Sequence, residues 1–380
     1  MANPPISRID FTSTTVVVVA DTQKFTFPLK ALQATPVVTA PTAPPTSSSS
    51  LRVGPSRELK EIADAIPFAQ PGGEIVADDA VYLKPFHSDV WDLKIRSASG
   101  NPYRCLMDMR GGNGGGVRMA WEKSAMHLGA QTTIVGIGVI RAGSLTSGRN
   151  YSNEAAFYAE NFARPGFLRL ERCAVDNSGN GVFIPADRGA SGNISYIERE
   201  CIFGAKASNS VSNPQNSGPS HDRYIGCPII DIDGSLDFGC VNGHSIKSGA
   251  DMTLVKNSYM ASHGGRAVEL PYGGTGQFTN CTIVSRDDGN ANFIGFADEE
   301  HRLPGLPTLT FDGGQILVGR SPSTIFVGAG ANVLINPNVM VGSFGGFLAV
   351  EGGGTVKGLP SSVATVAKPQ RPALPAWAVA

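Results

Sequence analysis

The sequence has few charged residues and no long apolar run. Only 17% of its 380 residues are charged, and the formal net charge is −1. A chain so close to neutral has no positive field for nucleic acid or for an anionic membrane surface. No apolar stretch approaches the roughly 18 residues that a membrane-spanning helix needs. We therefore expect neither nucleic-acid binding nor membrane insertion.

Cysteine is also scarce, and its spacing excludes the common cysteine-based sites. No Cys-x-x-Cys pair occurs, which argues against a zinc site or a dense disulfide framework. We expect buried thiols instead, and we predict no metal and no cofactor. The six cysteines are Cys105, Cys173, Cys201, Cys227, Cys240 and Cys281.

The N-terminal sequence, MANPPISRIDF, lacks a basic segment followed by an apolar one. It therefore indicates no secretory signal. From this we expect a soluble protein that is made in a cytoplasm.

Glycine and proline are abundant, with 46 and 26 residues, which favours a turn-rich strand protein. Residues 1–33 include STTVVVVADTQKFTFPL, where a β-branched run, a polar break and an alternating run predict a β-hairpin. Residues 34–50 are rich in proline, serine and threonine, and this composition predicts an extended linker. The hairpin segment would then be a small attachment module ahead of a main domain.

The main domain is predicted at residues 51–360, with a C-terminal tail at 361–380. It opens with apolar residues at helical spacing, from Leu59 to Ile66, and Pro67 then interrupts the pattern. This indicates one helix near residues 57–66, which we interpret as a cap on the strand-rich sequence that follows.

A repeat begins near residue 130. Its strands include FLRLERCAV, ISYIERECIF, MTLVKNSYM and GQFTNCTIV, and the marker residues recur every 22 to 35 residues. Strands that return at about this interval are expected to stack in parallel, about 4.8 Å apart. Asparagines at the polar bends (Asn257, Asn280 and Asn338) would sit at corners, where Asn tolerates left-handed backbone. The apolar markers are Leu170, Ile197, Ile232, Leu254, Phe278, Phe311 and Ile335.

This repeat predicts an all-β chain folded as a right-handed parallel β-helix of about ten to twelve rungs, at about 25 residues a rung. The segment GEIVADDAVY after the helix resembles the start of pectate-lyase-like β-helix proteins. The segments SHDRYIG, GHSIKSGA and AVELPYGG resemble an uncharacterised bacterial β-helix family with H-N-x-Y-x-G, G-H-x-I-K-S and L-P-x-G-G motifs. The resemblance covers about residues 54–300, implies the fold and implies no activity. This chain departs from it at Asp222, Arg223 and Gly249.

A stripe of polar residues follows the same repeat. His221 and His244 are 23 residues apart, as are Tyr224 and Lys247, and Lys247 and Glu269 are 22 apart. If each spacing is one rung, these side chains form a vertical row on the outer wall. Alternation places Lys247 and Glu269 outward. His244 is two residues before Ile246, which should face the core. His244 would therefore also point inward unless it lies on the preceding turn.

Such a stripe suits acid–base chemistry on a sugar. The imidazole or the lysine could abstract a proton, the tyrosine could protonate a leaving oxygen, and a carboxylate could orient the site. The catalytic candidates are Lys247, His244, Tyr224 and Glu269. The substrate-binding candidates are His221, Asp231, Asp233, Asp298 and Glu299.

The structural alternative for the stripe is an opposite-charge ladder that adds about 0.2–1 kcal/mol of stability. Asp231 and Asp233 face outward on one strand at a separation that also suits glycoside hydrolysis. Trp91 and Trp121 precede the regular repeats, so no aromatic sugar platform is predicted beside the stripe.

Two functions remain open. The first is a virion tail or spike protein, made in a host cytoplasm, whose β-helix contacts a bacterial surface polysaccharide. Its N-terminal segment would bind other virion proteins, and a homotrimer is kept open. The general layout resembles that of phage tail spikes. The second is a polysaccharide lyase or glycoside hydrolase of the pectate-lyase-like class, bacterial and exported by a signal-less route. Whether the chain is an enzyme stays undecided at this point.

Overall fold

The computed structural model describes residues 6–11, 15–20, 23–28, 50–109, 126–129, 131–142, 155–159, 166–185, 194–206, 221–240, 243–262, 264–286, 292–299, 303, 305–319 and 322–379. The predicted linker, apart from Ser50, and Trp121 lie outside these residues. The chain separates into two compact units, Met1–Ser47 and Ser48–Ala380.

The N-terminal unit contains three strands: β1 (Ile6–Phe11), β2 (Thr15–Ala20) and β3 (Gln23–Pro28). They pair antiparallel in the order β1-β2-β3. The predicted hairpin corresponds to β2 and β3, whose valine run and KFTF alternation suit half-buried strands. The sequence reading missed β1, which extends the hairpin into a three-stranded sheet.

The second unit is built from two parallel sheets. One has ten strands, each paired with the strand of the neighbouring rung. We call it the ten-stranded sheet. Its strands are β7 (Phe86–Ser88), β10 (Met126–Leu128), β13 (Ala155–Ala159), β16 (Asn180–Ile184), β19 (Arg223–Ile225), β22 (Ile246–Ser248), β25 (Val268–Leu270), β27 (Asn292–Phe296), β29 (Ser323–Val327) and β32 (Leu348–Glu351).

The other sheet has twenty-one strands, because most rungs contribute two segments on either side of a corner. Its strands are β4 (Ser50–Val53), β5 (Glu74–Ala77), β6 (Val81–Tyr82), β8 (Leu93–Ser97), β9 (Leu106–Asp108), β11 (Thr132–Val135), β12 (Gly138–Ile140), β14 (Gly166–Glu171), β15 (Ala174–Asp176), β17 (Ile194–Arg199), β18 (Ile202–Phe203), β20 (Ile229–Asp233), β21 (Leu236–Asp237), β23 (Met252–Lys256), β24 (Tyr259–Ser262), β26 (Thr275–Ser285), β28 (Thr308–Val318), β30 (Asn332–Ile335), β31 (Met340–Ser343), β33 (Thr355–Lys357) and β34 (Ala364–Thr365).

The two sheets enclose one continuous apolar core that runs from Val53 to Val341. The chain is therefore a right-handed parallel β-helix, as predicted, and the ten strands of the smaller sheet agree with the expected number of rungs. All six cysteines are buried and carry no disulfide, which confirms that prediction. Among the described residues, no helix is long and apolar enough to cross a membrane.

The predicted helix near residues 57–66 is much shorter than expected. Helix α1 spans Ile62–Ala65, and a 3₁₀ turn follows at Ile66–Phe68. Leu59 instead forms a parallel bridge with Val53, so the chain is extended where helical spacing predicted a helix. Ile62 and Ala65 are buried in the core. The role of α1 as a cap stays a prediction.

Two of the three predicted corner asparagines adopt the left-handed backbone. Asn257 and Asn280 have φ values of 49° and 53°. Asn257 lies at the corner between β23 and β24, and Asn280 lies at the equivalent position within β26. Asn338 also lies at a corner, in the turn between β30 and β31, but its φ is not positive. Its side chain instead donates a hydrogen bond of 3.0 Å to Asp312.

The strand register corrects two of the apolar markers. On successive rungs, Leu170 pairs with Glu198, Glu198 pairs with Ile232, and Ile232 pairs with Val255. Ile197 and Leu254 are therefore one residue out of register and only half-buried. The sequence reading chose Ile197 because apolar residues usually fill core positions, whereas here a glutamate does.

The buried Glu198 belongs to an ionic network inside the β-helix. Arg223 donates to both of its carboxylate oxygens at 2.7 and 2.8 Å, and also to Asp237. Tyr196 donates its hydroxyl proton to the same carboxylate at 2.5 Å. All four side chains are fully buried, and the Arg223 guanidinium lies 3.9 Å from the centre of the Phe203 ring. The network satisfies charges that would otherwise be very costly to bury.

The predicted tail packs back along the outside of the β-helix. After β34, Val366 packs against Val284 and Leu317, and Arg371 donates to the carbonyl oxygen of Gly204 at 2.9 Å. Near the C-terminus, a second helix, α2 (Ala376–Val379), contributes to an outer apolar cluster with Ile202 and Phe238. We call residues 366–379 the C-terminal strap.

Candidate functional site

The predicted stripe lies on the outer face of the ten-stranded sheet. Tyr224 pairs directly with Lys247, and Lys247 pairs directly with Glu269. Their flanking neighbours Ile246 and Val268 belong to the core, so the three side chains share the outward face. The prediction that Lys247 and Glu269 are outward neighbours on successive rungs is confirmed.

These side chains are part of a larger polar cluster on that face. The polar cluster consists of His221, Tyr224, His244, Lys247, Arg266, Glu269, Asp298 and Glu299.

Glu269 is at the centre of the polar cluster and only 6% exposed. Its Oε2 contacts His244 Nε2, and its Oε1 lies 3.2 Å from Arg266 Nη1 and 3.8 Å from Lys247 Nζ. Burial alone would raise the pKa of Glu269. The hydrogen bond from His244 and the nearby positive charges outweigh burial and lower the pKa to about 2. Glu269 is thus ionised at neutral pH.

Lys247 is held between two carboxylates. Its Nζ lies 2.8 Å from Glu299 Oε1 and 3.8 Å from Glu269 Oε1, and the side chain is 17% exposed. Burial by itself would lower its pKa, but Glu269 and Glu299 raise the pKa above the ordinary lysine value. Lys247 therefore stays protonated at neutral pH. A lysine that is to act as a general base needs the opposite shift.

The two histidines are stacked one rung apart and share one hydrogen-bonding pattern. Their ring centres are 4.8 Å apart. His221 Nδ1 accepts the backbone N–H of His244 at 3.0 Å, and His244 Nδ1 accepts the backbone N–H of Arg266 at 2.7 Å. With Nδ1 used as an acceptor, His244 carries a proton on Nε2, the atom that contacts Glu269 Oε2. Its side chain thus lies on the turn before β22 and does not enter the core.

His221 is almost fully buried. Burial, together with smaller effects of the neighbouring His244 and Lys247, lowers the pKa of His221 to about 3. It is therefore neutral at physiological pH. By accepting the backbone N–H of His244, the His221 imidazole positions the next turn.

Arg266 is a cluster member that the sequence reading missed. It lies 22 residues after His244, the same interval that separates Lys247 from Glu269, and this interval was the available signal. Its Nη1 contacts Glu269 Oε1 and Asp298 Oδ2. Arg266 thereby joins Asp298, a predicted substrate-binding residue, to the cluster.

The outward row continues with aromatic side chains on the rungs that precede Lys247 in the chain. Tyr158 pairs with Phe183, and Phe183 pairs with Tyr224. Adjacent ring centres are 5.4 and 5.0 Å apart. Tyr158 and Phe183 are buried, whereas Tyr224 is half-buried. The expectation of no aromatic sugar platform beside the stripe rested on the tryptophans and did not consider the strands AAFYAE and GVFIPA.

A second accessible ring lies beside the cluster. Tyr272, from the LPYGG segment, is half-buried and lies near Tyr224. Burial raises the pKa of its hydroxyl, with smaller contributions from Tyr224 and Glu299. Two tyrosines thus lie at the edge of the charged residues, each with an apolar ring face and a polar tip.

Asp231 and Asp233 are placed elsewhere. Both face outward on β20, in the twenty-one-stranded sheet, so the structure does not bring them together with the stripe. Asp231 contacts Arg199 at 2.5 Å, and Asp233 accepts a hydrogen bond of 2.8 Å from Asn257. Their role in substrate binding stays a prediction, and such a role would be separate from the stripe. Alternation identified the outward face of their strand and not the sheet to which the strand belongs.

The comparisons with known proteins assign no family to this chain. No family model matches the chain, and the search of curated proteins gave no match either. Among solved structures, the chain is similar to the pectin methylesterase from Aspergillus niger, with 13% identity and a TM-score of 0.36. The alignment covers 68% of this chain and 90% of that protein.

The geometry of the polar cluster suits binding better than proton transfer. Lys247 and Glu269 are held in their charged forms, and the His244 proton is directed at Glu269. Fixed ion pairs of this kind hold donors and acceptors in place for a ligand. The accessible edge is formed by Tyr224, Tyr272 and Glu299, the last with a side chain that is 40% exposed.

Proposed function

We propose that the protein is a glycan-binding β-helix that contacts a polysaccharide through the polar cluster and the adjacent tyrosines. The observation that carries this is the pairing of two accessible rings, Tyr224 and Tyr272, with a fixed row of donors and acceptors around Lys247. Sugar rings have apolar faces and polar edges, so a binding surface for them needs both features side by side.

The charge of the polar cluster favours a neutral glycan. Two cations, Lys247 and Arg266, lie among three carboxylates, Glu269, Asp298 and Glu299. Among the described side chains of this cluster, positive charge is therefore not in excess. A polyanionic chain would meet no attractive field here.

The proposed setting is a virion tail or spike that recognises a bacterial surface. The support is the layout: a small antiparallel sheet forms one compact unit, and the β-helix forms another. In this proposal, the first unit attaches to other virion proteins and the second presents the polar cluster.

The alternative is a polysaccharide lyase or glycoside hydrolase. Its specific support is the contact between His244 Nε2 and Glu269, because an imidazole oriented by a carboxylate is a common catalytic pair. The raised pKa of Lys247 and the low pKa of Glu269 weigh against it, since neither group would exchange a proton near neutral pH.

The experiment is a screen of the purified protein against bacterial surface polysaccharides, with binding and chain length measured on the same samples. We expect binding of a neutral polysaccharide without shortening of its chains. Shortened or unsaturated products that disappear in Lys247→Ala would support the enzyme instead. If no polysaccharide binds, and none is cleaved, the proposed function is wrong.

A further inference from the structure

A second site lies on the other side of the β-helix, where the C-terminal strap crosses the twenty-one-stranded sheet. It is a pocket with a volume of about 330 Å³, within the size range of small-molecule sites. Residues of five rungs line its floor, and strap residues line one wall. The lining consists of Gly204, Phe238, Tyr259, Val284, Arg286, Phe344, Lys368, Pro369 and Arg371.

The described lining contains three cations, Arg286, Lys368 and Arg371, and no carboxylate. Two of them are fixed by backbone carbonyl groups. Arg371 donates to the carbonyl oxygens of Gly204 and Ala205 at 2.9 and 2.5 Å, and Arg286 donates to that of Phe238 at 3.4 Å. The bonds of Arg371 leave its guanidinium charge in place, because a carbonyl oxygen does not neutralise it. Arg286 and Lys368 also take part in further contacts, so a bound anion would share them.

The rest of the lining is mainly aromatic. Phe238 and Tyr259 have ring centres 5.8 Å apart and planes inclined by 44°, and the Arg371 guanidinium lies 3.9 Å from the centre of the Phe238 ring. Phe344 and Val284 complete the apolar surface. An apolar ring with a charged substituent would therefore find a matching environment at both ends.

We propose that this pocket binds the phosphate monoester of a small ring-bearing compound. Three cations attract a doubly charged phosphate more strongly than a singly charged carboxylate. Guanidinium groups also match the geometry of phosphate oxygens, with two parallel hydrogen bonds. The aromatic walls account for the ring. The pocket lies on a different sheet from the polar cluster, so the proposal is independent of the proposed glycan site.

The test is calorimetry of the full chain with phenyl phosphate, inorganic phosphate and phenol. We expect phenyl phosphate to bind more tightly than either fragment. Lys368→Gln and Arg286→Gln should each weaken its binding about tenfold, as the loss of one charge-assisted hydrogen bond does. Lys357→Gln removes the same charge from β33, outside the pocket, and should leave the affinity unchanged.

Three results would overturn the proposal. They are absence of phenyl phosphate binding, equal affinity for phenyl phosphate and inorganic phosphate, and an equal loss of affinity in Lys357→Gln. Circular dichroism of each variant separates lost binding from lost folding. Lys247→Ala, which alters only the polar cluster, should bind phenyl phosphate normally, so the two sites can fail separately.

Discussion

Lys247 and Glu269 lie directly opposite each other on neighbouring parallel strands, with Nζ and Oε1 3.8 Å apart. They differ in how many partners they have. Lys247 contacts two carboxylates, whereas Glu269 is more deeply buried and contacts His244, Lys247 and Arg266. Removal of Glu269 should therefore cost more stability than removal of Lys247. In an exposed ladder of ion pairs, the two losses would be similar.

We expect Glu269→Ala to lower the free energy of unfolding by about 3 kcal/mol and Lys247→Ala by about 1 kcal/mol. The first leaves buried positive groups without their carboxylate, while the second leaves Glu269 with two partners. Urea denaturation measures both. Glu351→Ala, at an exposed position on β32, is the matched control and should cost almost nothing. Equal losses at positions 247 and 269 would contradict the central role given to Glu269.

His221 should make stability depend on pH. Its pKa is lowered from 6.5 to about 3 in the folded protein, so below pH 6.5 the unfolded chain binds a proton that the folded chain does not. The folded state thus loses stability as pH falls, by about 2 kcal/mol between pH 7.5 and 5. Glu269, with a pKa of about 2, does not titrate in that window.

Urea denaturation of the wild type and of His221→Asn at pH 7.5 and 5 tests this. Asparagine can still accept the backbone N–H of His244 but does not titrate, so the loss of stability should be smaller by about that amount. The same slope in both proteins would show that His221 is protonated in the folded state.

The buried network around Arg223 should be essential to the core. Arg223→Met leaves Glu198 and Asp237 buried without a cation, and we expect it to cost about 3–5 kcal/mol. The double variant Glu198→Leu/Arg223→Met removes both charges of the main pair and should be less damaging than Arg223→Met alone. Thermal denaturation of the two variants decides this, and a double variant at least as unstable as the single one would contradict it.

Deletion of residues 1–47 should leave the β-helix folded with its melting temperature unchanged. These residues form a separate compact unit, and the first strand of the β-helix begins at Ser50. Deletion of residues 1–53 removes β4 as well and exposes one edge of β5, so it should lower the melting temperature. A similar decrease for both deletions would show that the first unit stabilises the second.

The sequence was sufficient for the fold and for the stripe, and insufficient for what surrounds them. A repeat of 22 or 23 residues places Tyr224, Lys247 and Glu269 in one row, because successive turns of a β-helix stack in register. The same reasoning failed at Glu198, because a buried ionic network reverses the rule that apolar residues mark the core. For Asp231, alternation identified the outward face of β20 but not the sheet to which β20 belongs.

Other features depend on contacts between residues far apart in the chain. Arg371 in the strap donates to Gly204, which lies 167 residues earlier in the chain, and no local pattern indicates this contact. The proline-rich C-terminal sequence predicts only a tail. The second pocket follows from that return, so it could not be predicted from the repeat.

The most direct test of the proposed function is the affinity of the wild type and of Tyr224→Ala for the polysaccharide that the screen identifies. The central claim is that the accessible tyrosine ring beside Lys247 contacts the glycan. We expect Tyr224→Ala to lower the affinity at least about tenfold, as the loss of a central aromatic contact does. Tyr259→Ala, the same substitution on the twenty-one-stranded sheet, should leave the affinity unchanged. Unaltered affinity in Tyr224→Ala, or an equal decrease in Tyr259→Ala, would contradict the account.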